Sequence, residues 1–468
     1  MPKKVLVIGL DCAVPDLVFN KWRKHLPCLS ALMDQGGYAP LTSTTPPITV
    51  PAWASMLTSK DPGQLGLYGF RNRKDHSYES LYLANSTHVR ETTLYQLLSR
   101  KRLRSILLGV PQTYPPRPLN GIMISGFLTP SKKAQYTYPE GIKTELEEAA
   151  GGEYIFDVDE FRTENKDRLL AQIQEMAEAR FRAAEYLLTS KNWDFFMMVE
   201  MGVDRIQHGF WRYHDPSHRL YNPGNKYEFV IRDYYKDLDA KIDRLINLVP
   251  AGTMIMVVSD HGARTMVGGF SINQWLIREG YLTLKKTPDT SRRLSPDMID
   301  WSRTRIWGEG GYYGRLFFNV SGREPDGQVR PKEYENLRDE VKARLENEVD
   351  HQNRIMDNKV FKPEEIYRAV RNVPPDLIVY FGNLAWRSVG AVGQRQPLYT
   401  FENDTGPDDA NHAQEGLLIL AIKGEALDAA RGFCPRLQIY DVAPTILDYF
   451  GLDIPPDMIG RPIKWRRH

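Results

Sequence analysis

Cysteine is scarce: the 468 residues include three, Cys12, Cys28 and Cys434. With no CxxC spacing among them, a disulfide framework is excluded and a thiolate zinc site is disfavoured, so any metal is expected to use oxygen and nitrogen ligands. Neither sign of charge dominates, because 61 Lys and Arg face 59 Asp and Glu. No global field therefore selects nucleic acid or an anionic membrane, and affinity for anions has to be local. No basic stripe with interleaved aromatics stands out, which argues against a partner nucleic-acid duplex. Apolar runs all fall short of the roughly 18 residues of a membrane span. Met1-Pro2-Lys3-Lys4 leads straight into a short strand-like run without a signal-peptide core, so a cytoplasmic protein is expected. Internal repeats and low-complexity segments are also missing from the sequence.

What is present is alternation. Short apolar runs at Val5–Leu10, Ser105–Gly109, Ile122–Ser125, Phe195–Val199, Met254–Ser259, Leu377–Phe381 and Leu417–Ile422 alternate with helical patterns. This predicts an α/β fold built on a doubly wound, mostly parallel sheet. Leu169, Ile173, Met176, Phe181 and Leu187 recur at helical spacing and predict a long helix over Asn165–Ser190. Two stretches break the alternation. Residues about 128–163 read as a surface insertion, and 286–400, with the charged helix Pro331–Glu348, as an inserted cap subdomain. The core then comprises 1–285 and 401–468.

Two of the apolar runs end on hard metal ligands: Val5–Leu10 on Asp11, and Ile255–Ser259 on Asp260-His261. Buried parallel strands place functional residues at their C-terminal ends, so these two ends mark a candidate metal centre. Adjacent Asp260 and His261 can point to opposite sides of a turn and serve neighbouring metals, although Asp-His-Gly is also an ordinary turn sequence. Asp204 and His208, four residues apart on a predicted helix after Phe195–Val199, share one helix face and can meet one cation. A surface pair uses the same spacing. His412, in the turn-rich segment Gly406-Pro407-Asp408-Asp409-Ala410-Asn411-His412, is a third histidine candidate. His214 and His218 rank below it.

A nucleophile is sought in Thr44-Thr45-Pro46-Pro47-Ile48-Thr49-Val50-Pro51-Ala52-Trp53. Pro51 suits the first turn of a helix, which puts Thr49 at or just before a helix N-terminus, where free N–H groups and the dipole favour a phosphoryl oxyanion. Thr49 as a plain N-cap fits equally, and Ser43, Thr44 and Thr45 compete.

Together these segments resemble the alkaline phosphatase superfamily, and within it the type I phosphodiesterase/nucleotide pyrophosphatase family. The resemblance runs through Ile8–Asp11, Pro47–Trp53, Asp204–Trp211, Ser259–Gly262 and His412 to Tyr440–Leu447 and Asp457–Pro462. It implies two divalent metal ions, one held by Asp11, Thr49, Asp260 and His261, the other by Asp204, His208 and His412. Zinc is favoured and manganese is compatible. It further implies Thr49 as nucleophile, a phospho-threonine intermediate, and a small-molecule phosphate ester as substrate, with nucleotides among the candidates. One departure bears on the substrate: Phe70 stands where nucleotide-cleaving members carry a phosphate-holding asparagine, leaving Arg71 and Asn72 as substitutes. Sibling activities are the alternatives: a phosphomonoesterase, a phosphonate hydrolase or a phosphoglycerate-mutase-like enzyme. A binding protein without turnover on the same fold is the alternative from another class. Trp53, Phe70, Tyr312 and Tyr313 are available to stack on a base, and core packing is their competing role.

Overall fold

The computed structural model describes residues 2–425 and 437–464, so Cys434 lies outside the described residues. Its centre is a nine-stranded sheet. In chain order the strands are β1 (Val5–Leu10), β2 (Gly37–Thr42), β3 (Ser105–Val110), β4 (Gly121–Ser125), β5 (Thr137–Tyr138), β6 (Phe195–Glu200) and β7 (Met254–Val258). Two short strands, β8 (Gly262–Thr265) and β9 (Ala410–Ala413), pair outside this sheet, and β10 (Glu415–Ile422) and β11 (Leu437–Gln438) complete it. The order across the sheet is β11-β2-β10-β7-β1-β6-β3-β4-β5. The five central strands from β7 to β4 are mutually parallel, whereas β10 runs antiparallel to both β7 and β2.

The alternation of side chains in β1 shows why two helical layers form. Leu6, Ile8 and Leu10 face one buried cluster and Val5 and Val7 the other. The first layer contains α2 (Lys166–Ser190), α3 (Gly202–His214) and α4 (Val230–Leu248); the second contains α1 (Thr49–Thr58) and α5 (Val442–Phe450). Both faces are thus covered, as an apolar parallel sheet requires. The long helix begins at Lys166, with Asn165 as its cap accepting from the backbone N–H of Arg168 at 3.2 Å.

Both expected insertions look different in three dimensions. The segment 128–163 is no mere surface excursion: Thr137–Tyr138 extends the central sheet, and Tyr136 and Tyr154 are wholly buried beneath it. The second unit has its own core around a four-stranded antiparallel sheet of Ile306–Glu309, Gly314–Phe318, Leu377–Tyr380 and Lys359–Phe361. That core already includes Phe270, Ile272 and Trp275, because Gly268–Ser271 pairs with Trp386–Val389 and Tyr399–Thr400. Position 286 therefore falls inside the unit.

Candidate metal centre

Strand register brings the acidic ends together. Gly9 of β1 lies between Val199 of β6 and Val258 of β7. Asp11, Asp260 and, in the first turn of α3, Asp204 consequently emerge at one edge. The antiparallel pairing of β8 with β9 sets Ala263 opposite His412 and delivers that histidine beside His261. The two imidazoles stack at 3.8 Å and 19°. His412 is thus a strand residue, not a loop residue as its turn-rich surroundings suggest. Asp11, Asp204, His208, Asp260, His261 and His412 are all buried, none more than 3% exposed.

All three histidines turn the same nitrogen inward. Nδ1 of His208 lies 2.7 Å from Asp408 Oδ1, Nδ1 of His412 lies 2.8 Å from the Pro47 carbonyl, and Nδ1 of His261 lies 3.2 Å from the Gly262 carbonyl. In the neutral imidazole, an acceptor at Nδ1 selects the tautomer that protonates it and leaves the Nε2 lone pair free. The carboxylates are divided in the same way. Asp11 accepts from Trp53 through Oδ2 and leaves Oδ1 without a partner; Asp260 accepts from the Cys12 N–H through Oδ1 and leaves Oδ2 without one. Asp204 Oδ2 is held by Arg205 at 2.5 Å, while its Oδ1 lies 3.3 Å from His208 Nε2 and 4.0 Å from His412 Nε2.

These free atoms are spaced for cations. Asp260 Oδ2 and Asp11 Oδ1 lie 3.3 and 3.7 Å from His261 Nε2. A tetrahedral zinc site with bonds of about 2.0–2.1 Å separates its ligands by roughly 3.3 Å. Three groups of ligand atoms have all members within 4.8 Å of one another: Asp11, Asp260 and His261; Asp204, His261 and His412; and Cys12, Asp204 and His208. Unpartnered buried acceptors in such a cluster are costly unless a cation answers them, so the donor set fits divalent metals.

Electrostatics supports the same fit. Burial first, then repulsion from neighbouring carboxylates, raises Asp11 and Asp260 well above the usual carboxylate range. Burial opposes ionisation of Asp204 as well, but His208 and Arg205 outweigh it and hold the group below that range. Desolvation lowers His261 to about 4 and holds His412 well below its ordinary value, keeping both imidazoles neutral as metal ligation needs. At His208 desolvation loses to the carboxylates of Asp408 and Asp204, and the group rises to about 10. The proton that this field attracts is one a divalent cation would replace at Nε2.

Thr49 is the first residue of α1, and Ile48, not Thr49, occupies the cap position. The Thr49 hydroxyl lies 3.3 Å from His261 Nε2. Among its competitors, the Thr44 hydroxyl donates to the Pro46 carbonyl at 2.6 Å, and the buried Ser43 hydroxyl has no partner. His214 packs on Trp22 and Trp211, and His218 accepts from the Leu220 N–H; both stand apart from the cluster. Asn72 spends both ends of its amide on its own loop, accepting from Tyr68 N–H and donating to the Gly69 carbonyl. Arg71 is exposed. Phe70 packs edge-on against Phe127, which in turn underlies the Arg205 guanidinium. Of the aromatics, Trp53 is buried against β1, Tyr313 donates to the Tyr68 carbonyl, and Tyr312 stacks on His412 at 4.3 Å and on His208 at 5.0 Å.

Several residues of this centre escape a reading by sequence. Asp408 steadies His208, and Tyr312 and Arg162 both bond to Asp408 from the two inserted segments. Asp157 grips Arg205 with both oxygens, at 2.7 and 2.6 Å. Cys12, disfavoured as a ligand because the cysteines show no CxxC spacing, places its sulfur among the ligand atoms. The doublet Asp408-Asp409 beside His412 was the one available signal; the others depend on contacts distant in sequence.

Residues 5–408 match the family profile described as type I phosphodiesterase / nucleotide pyrophosphatase. No curated protein sequence gives a significant match. Among solved structures, human ectonucleotide pyrophosphatase / phosphodiesterase 5 superposes with a TM-score of 0.54 at 13% identity, covering 97% of this chain and 96% of that one. Phosphonoacetate hydrolase from Sinorhizobium meliloti, in complex with phosphonoformate, gives 0.57 at 16% identity, with 96% and 95% covered. An inactive threonine-to-alanine variant of the murine ectonucleotide enzyme, in complex with AMP, gives 0.54 at 12% identity, with 97% and 96% covered. The chain belongs to the type I phosphodiesterase/nucleotide pyrophosphatase family of the alkaline phosphatase superfamily, and is an enzyme acting on phosphoester bonds.

Proposed function

We propose that the protein is a two-metal phosphodiesterase or nucleotide pyrophosphatase that works through a covalent phospho-threonine at Thr49. The observation that carries this reading is the contact of the Thr49 hydroxyl with His261 Nε2 at 3.3 Å, at the head of a helix and beside unpartnered carboxylate oxygens. Asp11, Thr49, Asp260 and His261 would hold one ion, and Asp204, His208 and His412 the other. Bound there, divalent cations supply positive charge against phosphoryl oxygens and acidify a neighbouring hydroxyl. Imidazole nitrogen with carboxylate oxygen favours zinc and also accepts manganese.

The residues of the chain then divide the work. Thr49 gives up its hydroxyl proton to solvent and attacks phosphorus; its O–P bond forms as the bond to the departing ester oxygen breaks and that oxygen takes up a proton from water, and a second water later cleaves the phospho-threonine bond and restores the hydroxyl. The N-terminal N–H groups of α1 face the negative charge that gathers on the phosphoryl oxygens. Tyr312, reaching from the unit around 286–400, covers the histidines and suits a cap over the substrate. The AMP and phosphonoformate bound in two of the similar structures support a small phosphate or phosphonate substrate.

The test is Thr49→Ala in metal-replete protein. Turnover of chromogenic phosphodiesters should vanish while two metals per chain remain; full activity would remove Thr49 from its role. A parallel screen of nucleotide diesters, dinucleoside polyphosphates, phosphomonoesters and phosphonates assigns the substrate class. Faster cleavage of monoesters than of diesters would move the enzyme to a sibling activity.

A further inference from the structure

Among the described residues, Cys12 is the one thiol placed inside the cluster. It follows Asp11 at the end of β1 with a φ of +67°, a left-handed conformation that glycine adopts freely and a residue with a Cβ resists. Both of its backbone groups are tied to the centre: its N–H donates to Asp260 Oδ1 at 3.2 Å, and its carbonyl accepts from Gln207 Nε2 at 2.6 Å. The turn sends neighbouring side chains to different sides. Asp11 joins Asp260 and His261, while Cys12 Sγ joins Asp204 and His208 in a group whose ligand atoms are all within 4.8 Å of one another. The side chain is wholly buried. Into the same space points His208 Nε2, on a residue 1% exposed, and it has no hydrogen-bond partner.

We propose that Cys12 is a thiolate ligand of the metal held by Asp204 and His208, which makes this a mixed sulfur, nitrogen and oxygen site beside a sulfur-free one. The proposal rests on the two-metal reading above. On binding, the thiol proton passes to solvent and the sulfur lone pair enters the metal–sulfur bond. The consequence is selectivity. A soft thiolate favours zinc and disfavours manganese or magnesium, whereas Asp11, Asp260 and His261 discriminate less between them. The site is thereby biased toward zinc by a residue whose neighbours in sequence give no metal-binding spacing.

Metal-depleted protein reloaded with cobalt(II) provides a readout independent of activity. The expected result is two ions per chain with a sulfur-to-cobalt charge-transfer band in the near ultraviolet. The band should disappear in Cys12→Ser and in Cys12→Gly, the second chosen because glycine suits the left-handed turn, and should persist in a Cys28→Ser/Cys434→Ser double variant. X-ray absorption of the zinc form should show sulfur at about 2.3 Å. Zinc affinity of one site should fall by more than about tenfold in the Cys12 variants, with manganese affinity little changed. Two bound cobalt ions without the band would overturn the Cys12 assignment and leave the two-metal reading standing. Failure to bind cobalt at all would overturn both. A band lost with Cys28 and Cys434 instead would also overturn the assignment.

Discussion

The indole N–H of Trp53 donates to Asp11 Oδ2 at 2.7 Å, tying the helix that carries Thr49 to the strand end that carries a metal-type carboxylate. The bond depends on Gly9. A Cβ there would meet Trp53 at 2.5 Å and Val199 at 2.8 Å, so only glycine lets the indole lie against β1. Trp53→Phe should keep the packing but free Asp11 to rotate. We expect metal affinity at the site of Asp11, Asp260 and His261 to weaken by about 10–100-fold. Titration of metal-depleted protein checks this, and an unchanged isotherm would reduce Trp53 to a packing residue.

Asp408 holds His208 at 2.7 Å and is itself bonded to Tyr312 and Arg162 at 3.0 Å each. Asp408→Asn preserves shape while removing the charge that stabilises the histidine. Affinity of the second ion should drop about 10–100-fold, with the first ion retained. Equal loss of both ions, measured by metal analysis across a chelator series, would contradict separate sites.

Arg180, on α2, is almost wholly buried and donates to three carbonyls: Val199 at 2.6 Å, Ile155 at 3.1 Å and Phe156 at 3.2 Å. It thereby pins the first inserted segment to the end of β6. Arg180→Leu would strand those acceptors away from water, at about 1–3 kcal/mol each. A loss of about 3 kcal/mol or more is expected in denaturant unfolding of the metal-loaded protein; a change below 1 kcal/mol would show that the segment is held by other contacts.

His214 and His218 are buried, and desolvation lowers each to about 4. Each folded-state value lies below the unfolded one near 6.5, so the unfolded chain binds the extra proton. Their contribution is complete above about pH 6.5 and is lost progressively as pH falls toward 4, up to about 3 kcal/mol for each imidazole. His214→Phe should flatten the stability curve between those limits without altering stability at pH 8. A curve as steep as that of the unsubstituted protein would place the acid sensitivity elsewhere.

Legibility in the sequence followed burial pattern and contact distance. β1, β6 and β7 were readable because strands buried on both faces are continuous apolar runs, and α2 because its period persists over 25 residues. Asp11, Asp260 and His261 lie just past the ends of β1 and β7, and Asp204 and His208 on the helix that follows β6, and the structure brings them together. β8 and β9, four residues each, are too short to show a period, so the pairing that positions His412 was hidden. The segment 128–163 read as surface because its polar composition conceals Asp157 and Arg162, whose partners lie far along the chain. Cys12 was dismissed by spacing rules that describe sites built from one local loop, whereas this site is assembled from several strand ends.

The sequence by itself determined six of the nine strands of the sheet, the long helix α2 and the acidic strand ends, since each follows from local periodicity and from where an apolar run stops. Only the tertiary structure decided which atoms of those residues stay free. That choice is made by Trp53 on Asp11, Arg205 on Asp204, Asp408 on His208 and Pro47 on His412, four contacts of which three span distant parts of the chain. Hydrogen-bond partners are selected by proximity in space, and in a fold whose active edge gathers separate strand ends, proximity is not written in the order of residues.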